Sequence, residues 1–255
     1  MAKILICGRG GSGKSTLTTM LAHHLAEKGK VLVVDADESN LGLGKMLGLS
    51  PPAQTLMDTL GGRKVVGEKL MAAIKSKGTE EVKIFSEDFG FSELPPESTT
   101  WAGEAGLIQI GKIEHSKEGC ACPMGALARE FLNKLKNNEK EWVIVDTEAG
   151  VEHFGRGVLE GTDAVLMVID PSHEAVILAE KAAKLAEEAG KSFAVVLNKV
   201  DEKTEPRLKK MLEKMNIDIA GVLPYSPAIA EANLAGEPLN VEPLRQELRN
   251  ILNHI

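Results

Sequence analysis

Residues 3–16 read KILICGRGGSGKST, a short apolar run followed by glycines and then by Lys-Ser-Thr. Gly8, Gly13, Lys14 and Ser15 fill the pattern GxxxxGKS/T. In this pattern the backbone amides of a glycine-rich turn at a helix N-terminus hold phosphate oxygens, the lysine reaches the β- and γ-phosphates, and the hydroxyl binds Mg²⁺. The stretch therefore predicts a buried strand, a phosphate-binding loop and a helix, with Ser15 as a magnesium ligand.

The same glycines also fit GxGxxG, the fingerprint of dinucleotide-binding folds. Asp35 lies 22 residues after Gly13, near the place where such folds carry an acid that binds ribose. Lys14 and Ser15 separate the two interpretations, because a triphosphate needs a cation and a magnesium ligand at the helix N-terminus. A glycine turn that served only tight packing would leave the Lys-Ser-Thr sequence unexplained. We therefore predict a nucleoside triphosphate site.

Composition narrows the possible classes of protein. The chain has 255 residues, of which 43% are hydrophobic, and no linker or repeat divides it, so residues 1–255 are predicted to form a single domain. Its net charge of −7 does not favour nucleic-acid binding. We find no N-terminal leader and no apolar run long enough for a bilayer, so we expect a cytoplasmic protein that does not bind membranes. Three cysteines are too few for a secreted disulfide framework, and Cys7 is expected to be a buried strand residue.

Apolar runs and amphipathic segments alternate along the chain. Continuous apolar strands separated by helices are typical of parallel sheets covered on both faces, so the predicted fold class is α/β, a P-loop NTPase with a mostly parallel sheet. Strands are predicted at 3–7, 31–35, 82–86, 107–110, 142–146, 164–169, 193–197 and 217–222. Helices are predicted at 14–28, 41–47, 56–77, 124–136, 174–189, 205–215 and 243–253, and a loop with Pro95, Pro96 and Trp101 separates the third and fourth strands.

Polar side chains follow three of the predicted strands. Asp35 and Asp37 close the second strand, Asp146 closes the strand at 142–146, and Asn198 begins an NKxD sequence. The carboxyl ends of parallel strands meet at one edge of a sheet, which is where α/β folds bind ligands. We therefore expect Asp146 to support the magnesium ion and Asn198 to contact the base. Asp37 by itself also fits a cap for the helix that follows.

Cys120 and Cys122 form a CxC pair ahead of the helix predicted at 124–136. In an extended segment, residues i and i+2 face the same side with Cα atoms roughly 7 Å apart, a spacing that suits two thiolates on one ion better than a disulfide. Two thiolates leave a shell of four ligands incomplete, so the partner in a twofold dimer would supply the other two. Nickel and zinc fit equally well, and a redox pair stays open. His115 and His153 are alternative ligands within the chain.

Taken together, these motifs resemble those of the deviant Walker A ATPases, the group of MinD, ParA and the nitrogenase iron protein. Within this group the chain is most similar to the CooC-type nickel-insertion ATPases of carbon monoxide dehydrogenase maturation. The resemblance covers nearly the whole chain. It rests on the loop, the DxD at 35–37, DTEAGVEHFGRG at 146–157, NKV at 198–200, LPYS at 223–226 and EGCAC at 118–122. The CxC is the most discriminating motif, because the positioning ATPases of the group lack it.

The resemblance implies hydrolysis of ATP to ADP with Mg²⁺, a homodimer formed with ATP and metal, and a nickel or zinc site built from four cysteine thiolates. It implies nickel carbon monoxide dehydrogenase, or the related acetyl-coenzyme A synthase, as the client. The group's signature lysine, expected directly after the first loop glycine, is replaced by Arg9, which keeps the charge and is expected to contact the partner's phosphates. Asp37 would position or activate the attacking water. The predicted catalytic residues are thus Arg9, Lys14 and Asp37, and the predicted nucleotide-binding residues are Gly10, Gly11, Ser12, Gly13, Lys14, Ser15, Thr16, Asp146, Asn198 and Pro224.

Two other functions stay open on the sequence. A positioning ATPase of the MinD or ParA kind would cycle on membrane or DNA. Its membrane form needs a terminal amphipathic helix rich in Lys and Arg, whereas residues 241–255 carry two Arg against two Glu. A nicotinamide oxidoreductase would bind a dinucleotide in place of ATP.

Overall fold

The fold is built on one sheet, seen in a computed structural model that describes residues 2–75, 84–113, 122–151, 154 and 157–255. At residues 71, 73–75 and 122 only the backbone is described. The strands of the sheet are β1 (Lys3–Gly8), β2 (Lys30–Ala36), β3 (Thr99–Ala102), β4 (Ala105–Gln109), β5 (Glu141–Thr147), β6 (Ala164–Ile169), β7 (Ser192–Val200) and β8 (Ile219–Pro224). Their spatial order is β3-β4-β2-β5-β1-β6-β7-β8, and every neighbouring pair is parallel except β3 and β4.

The central strand β1 shows why the sheet is buried on both faces. Its side chains alternate, so that Leu5 and Cys7 pack into one core cluster and Ile4 and Ile6 pack into the other. All four side chains are at most 2% exposed. Two apolar layers therefore cover the sheet, which confirms the predicted α/β fold with a mostly parallel sheet between helices.

Helices supply both layers. They are α1 (Lys14–Ala26), α2 (Leu43–Met46), α3 (Leu56–Thr59), α4 (Gly62–Lys75), α5 (Cys122–Lys134), α6 (His173–Glu188), α7 (Thr204–Glu213), α8 (Pro227–Ala235) and α9 (Arg245–Leu252). Leu17 of α1 and Leu248 of α9 belong to one cluster, whereas Phe131 of α5 and Leu208 of α7 belong to the other. Within the described ranges, no helix combines the length and the apolar character needed to cross a bilayer.

The strand predicted at 82–86 is wrong in its described part, because residues 84–86 form bends and residues 82–83 lie outside the described residues. The neighbour of β4 is instead β3, an antiparallel strand that contains Trp101, which the sequence predicts in a loop. Trp101 lies opposite Gly106, where a Cβ would come within 2.6 Å of the indole ring. The edge strand therefore depends on a glycine that leaves room for the ring.

The helix predicted at 56–77 divides in two. Gly61 lies between α3 and α4 with φ +96°, a left-handed conformation that glycine adopts without strain.

Helix α8 is absent from the prediction because none of its residues is buried, so no apolar periodicity marks it. The other predicted strands and helices are confirmed, with ends that shift by at most three residues.

Candidate nucleotide-binding site

The phosphate-binding loop connects β1 to α1, as the sequence predicts. Gly8 has φ +144° and Gly13 has φ +104°, conformations that favour glycine. A Cβ on Gly8 would lie 2.5 Å from the carbonyl oxygen of Val168 in the neighbouring strand β6. In the part of the chain that the structure describes, no side chain caps α1, so its first amides are available to an anion. Lys14 Nζ donates to the carbonyl of Arg9 at 3.3 Å and so lies over the loop.

A cluster of polar side chains gathers behind the loop around Asp146, at the end of β5. The Ser15 hydroxyl donates to Asp146 Oδ2 at 2.7 Å, and the Thr18 hydroxyl donates to Asp146 Oδ1 at 3.2 Å. Asn40 Nδ2 donates to Ser15 Oγ at 2.9 Å and to Asp146 Oδ2 at 3.2 Å. Ser15 and Asp146, each predicted to serve the magnesium ion, are therefore hydrogen-bonded to each other, and Asn40 is a member of the cluster that the sequence analysis missed.

The charged form of Asp146 is disfavoured by its surroundings, and a bound cation would stabilise it. It is fully buried, and burial raises its pKa to about 7, with Ser15 lowering the pKa and Asp35 raising it. The Ser15 hydroxyl and the Asp146 carboxylate offer oxygen atoms, which are the ligands that Mg²⁺ prefers. When bound between Ser15 and a triphosphate, this ion would neutralise the charge that develops on the phosphates.

Asp35, at the end of β2, is paired with a lysine that sequence reasoning missed. Lys112 Nζ lies 2.6 Å from Asp35 Oδ2, and the two side chains are 8% and 0% exposed. Burial raises the pKa of Asp35 above its ordinary value, while the Lys112 ammonium and the Gln109 amide oppose the rise. No local pattern marks Lys112, because its partner is distant in sequence. Asp35 thus forms a buried ion pair at the end of β2, where it stabilises the structure.

Asp37 lies in the turn after β2, near the loop. Its Oδ1 accepts from the Ser39 amide at 2.9 Å and from the Ser39 hydroxyl at 2.7 Å. The carboxylate therefore stabilises its own turn. Its predicted role toward the attacking water stays a prediction.

Arg9 has partners within its own chain. Its guanidinium donates to Asp170 Oδ2 at 2.7 Å, and a second nitrogen lies 3.4 Å from Glu174 Oε2. Asp170 follows β6, and Glu174 is in the first turn of α6. The predicted contact with a partner's phosphates therefore requires Arg9 to leave these two acids.

A pocket of about 270 Å³ adjoins the loop on the side of β7 and β8. Of the residues predicted to bind nucleotide, Thr16, Asn198 and Pro224 line this pocket, together with Tyr225 and Ile229. The pocket thus brings three of the predicted nucleotide-binding residues together, and its role in binding the base stays a prediction.

Asn198 makes a contact other than the predicted one. Its Nδ2 donates to the carbonyl of Ser12 at 2.8 Å, and the residue is buried. Gly13 permits this approach, since a Cβ there would lie 2.2 Å from Asn198 Nδ2. The neighbouring Lys199 Nζ donates to the carbonyl of Gly11 at 2.7 Å. The NKxD segment thus holds the outer side of the phosphate loop, and contact with a base stays a prediction for Asn198.

The predicted metal ligands fall largely outside the described residues. Cys120, His115 and His153 lie outside them, and Cys122 is described by its backbone alone, as the first residue of α5. The part of the chain that is described contains no cluster of three His, Cys, Asp or Glu side chains suited to a metal. Cys7 is confirmed as a buried strand residue, and burial raises the pKa of its thiol to about 12, so it is unreactive.

One protein-family model matches most of the chain. Residues 4–239 match the family model of the CobQ/CobB/MinD/ParA nucleotide binding domain. The chain belongs to this family. Its membership confirms that the chain is a nucleotide-binding domain and implies ATP or ADP with Mg²⁺ as ligands.

Relatives within the CobQ/CobB/MinD/ParA family include proteins of different stated roles. The chain is 46% identical over 242 residues to an uncharacterized ATP-binding protein of Methanocaldococcus jannaschii, covering 94% of each. It is 32% identical over 239 residues to the carbon monoxide dehydrogenase accessory protein CooC of Rhodospirillum rubrum, covering 92% of this chain and 88% of CooC. It is 27% identical to an iron-sulfur cluster carrier protein of Saccharolobus solfataricus, covering 98% and 81%.

Solved structures of the family share the fold. The septum site-determining protein MinD of Pyrococcus horikoshii, complexed with Mg-ADP, superposes with a TM-score of 0.69 at 22% identity, covering 98% of this chain and 93% of MinD. This similarity confirms the P-loop NTPase architecture.

Proposed function

We propose that the protein is an ATP-hydrolysing metallochaperone that delivers nickel to carbon monoxide dehydrogenase. The observation that carries the proposal is the combination of the Ser15–Asp146 pair behind the phosphate loop with a CxC at the start of α5. The Ser15–Asp146 pair supports ATP hydrolysis, and the CxC supports a metal cargo. The similarity at 32% identity to the carbon monoxide dehydrogenase accessory protein CooC supports carbon monoxide dehydrogenase as the client.

Hydrolysis would be carried out by positioned charges. The amides of Gly10, Gly11, Ser12 and Gly13 would cradle the phosphates, and Lys14 would turn from the Arg9 carbonyl to the β- and γ-phosphates. Asp37 would orient the attacking water. Because such groups act on charge that develops in the transition state, their loss should lower turnover more than binding.

Dimerisation would follow from Arg9. In the single chain its guanidinium is held by Asp170 and Glu174 at the end of β6 and the start of α6. A partner's triphosphate would compete with these two acids for the guanidinium, because phosphate oxygens accept paired hydrogen bonds from arginine and Glu174 is largely exposed. Arg9 would then link nucleotide binding to assembly.

The cargo site would need two chains. Cys120 and Cys122 offer two thiolates per chain, and zinc or nickel takes about four ligands in such sites. A twofold dimer brings the same residues of both chains together, giving a shell of four thiolates. Nickel is the cargo we assign, on the resemblance to the nickel-insertion ATPases that EGCAC at 118–122 carries.

A MinD-like positioning ATPase is the second candidate, favoured by the structural neighbours. Its membrane form needs an apolar helix face free for lipid. In α9, Leu248 and Ile251 are fully buried in the core, so this face is already in use. This packing makes α9 a poor membrane anchor, which argues against the membrane form of the positioning ATPase.

The test is native mass spectrometry of the protein with nickel, in the presence of ADP or a non-hydrolysable ATP analogue, for wild type and Cys120→Ser/Cys122→Ser. Cys7→Ala is the matched control, since its thiol is buried in β1. We expect a dimer with a single nickel ion in wild type and control, and loss of nickel in the double variant. A dimer without nickel that binds anionic vesicles or DNA would instead support the positioning ATPase.

A further inference from the structure

Lys199 has an unusual backbone conformation near the end of strand β7. Its φ is +58°, a left-handed value that residues other than glycine rarely adopt. The pairing of β7 with β8 shifts register between Asn198 and Val200, so Lys199 forms a bulge in the strand. Contact with the neighbouring chain resumes directly afterwards, because the Tyr225 amide donates to the carbonyl of Val200 at 3.2 Å. A strained residue between two paired ones must be held by other contacts.

The bulge brings two consecutive side chains to the phosphate-binding loop. Asn198 Nδ2 donates to the carbonyl of Ser12 at 2.8 Å. The next residue, Lys199, donates from Nζ to the carbonyl of Gly11 at 2.7 Å. In a regular strand, successive side chains point to opposite faces of the sheet, so one of the two would point away from the loop. The strained conformation of Lys199 therefore allows both donors to reach the loop.

Gly11 has few other contacts that could fix its position. It is exposed, with φ +75°, and in the described part of the chain no heavy atom outside its chain neighbours lies within 4 Å of where its Cβ would be. A peptide unit is planar and trans, so a carbonyl and the amide that follows it point in opposite directions. The Gly11 carbonyl accepts from Lys199, and the Ser12 amide donates to the carbonyl of Arg9 at 3.1 Å. Lys199 therefore holds the peptide that closes the turn at 9–12.

We propose that Lys199 is a positioning residue that fixes the peptide between Gly11 and Ser12, so that the loop is shaped before a nucleotide binds. The proposal rests on the proposed function, which makes ATP the ligand of the loop. The Lys199 ammonium contacts the loop backbone and touches no phosphate. A preformed loop binds nucleotide more tightly, because less ordering is needed on binding.

This positioning role has two measurable consequences. The loop cradles the α- and β-phosphates, which ADP and ATP share, so loss of the ammonium should weaken the binding of both nucleotides by the same factor. The loop supports the substrate complex and the transition state alike, so KM for ATP should rise while kcat changes by less than about twofold. A direct contact with the γ-phosphate would instead weaken the binding of ATP more than that of ADP.

Three variants separate the ammonium from the strained backbone. Lys199→Met removes the ammonium and keeps a long side chain, Lys199→Gly removes the ammonium and the strain, and Lys199→Arg keeps a charged donor. Lys140 provides the matched control, because it is also an exposed lysine with positive φ, at +65°. It precedes the first residue of β5, whereas the loop follows the last residue of the parallel strand β1. Lys140→Met and Lys140→Gly therefore make the same changes at the opposite edge of the sheet.

The experiment titrates ADP and a non-hydrolysable ATP analogue into each variant by calorimetry, and it measures kcat and KM for ATP hydrolysis and the Tm of the nucleotide-free protein. We expect Kd for both nucleotides and KM for ATP to rise about fivefold in Lys199→Met and Lys199→Gly, as for the loss of one hydrogen bond. Lys199→Arg should stay within about twofold of wild type, and both Lys140 variants should bind nucleotide as wild type does. Because glycine relieves the strain, Tm should be higher for Lys199→Gly than for Lys199→Met.

Unchanged nucleotide affinity in Lys199→Met overturns the proposal, whatever the Tm of this variant. A larger loss of affinity for the ATP analogue than for ADP also overturns it, because the ammonium would then act on the γ-phosphate. Affinity that falls in Lys199→Met and is kept in Lys199→Gly has the same consequence, since the ammonium would be dispensable. Absence of ATP hydrolysis in wild type would refute the proposed function separately, because the calorimetric titrations do not depend on turnover.

Discussion

Replacement of Asn198 by alanine tests what holds the phosphate loop in place. The Asn198 amide donates to the Ser12 carbonyl at 2.8 Å, and both residues are at most 7% exposed. Alanine removes this donor and leaves the carbonyl of Ser12 buried. The variant therefore weakens the loop before any nucleotide arrives.

The size of the effect follows from this single hydrogen bond. Leaving a buried acceptor without its donor costs about 1–3 kcal/mol of the free energy of unfolding. For a chain of this length that corresponds to a decrease of about 2–12 °C in Tm. Since the loop is the phosphate site for every nucleotide, the affinities for ATP and GTP should fall by the same factor.

The assay is thermal unfolding of the nucleotide-free protein, followed by titration with ATP and GTP. Asn250→Ala is the control, because Asn250 is an exposed amide on α9, and its Tm should change little. Unchanged stability together with an altered ratio of ATP to GTP affinity would refute this reasoning. It would restore Asn198 to the role of a base contact.

Four further predictions test other parts of the site and core. Lys14→Ala should abolish ATP hydrolysis and sharply weaken ATP binding while Tm is kept; unchanged hydrolysis contradicts the P-loop assignment. Asp37→Asn should keep ATP affinity and lose turnover, since Asn retains the oxygen that accepts from Ser39; loss of binding in a titration would make Asp37 structural. Arg9→Ala should bind nucleotide as a monomer and fail to dimerise in light scattering, whereas Arg9→Lys should dimerise; a wild-type dimer mass for Arg9→Ala excludes the contact between chains. His24 is buried and has no hydrogen-bond partner among the described residues, and burial lowers its pKa below the ordinary 6.5, so the unfolded chain takes up a proton first as pH falls. The free energy of unfolding should therefore decrease below about pH 6.5, and His24→Leu should flatten this decrease in urea titrations; an unchanged slope contradicts it.

The fold and the phosphate loop could be predicted because their signals are local. The run ILIC and the glycines up to Lys14 lie within twelve residues, so strand, loop and helix follow from one stretch. The apolar run at 164–169 predicts β6 with the same bounds as the structure. The pairing of Ser15 with Asp146 was also predictable, since the carboxyl ends of parallel strands meet at one edge.

The other features of the site and fold depend on contacts between residues far apart in sequence, which no local pattern predicts. Lys112 is one lysine among many until the fold brings it to Asp35, and Asn40 becomes part of the site only through Ser15 and Asp146. Helix α8 has no buried residue, so its apolar spacing is absent. In the same way Asn198 suggests a base contact from its NKxD context, whereas the folded chain places its amide on the loop.

Calorimetric titration of nickel into the protein, with ADP and with a non-hydrolysable ATP analogue, shows whether the bound nucleotide controls metal binding. Cys120→Ser/Cys122→Ser serves as the control in both nucleotide states. We expect a single nickel ion per dimer with the analogue, weaker binding with ADP, and no comparable binding in the double variant. Equal nickel affinity in both nucleotide states, or one ion per monomer, would contradict the claim that ATP governs a metal site shared by two chains.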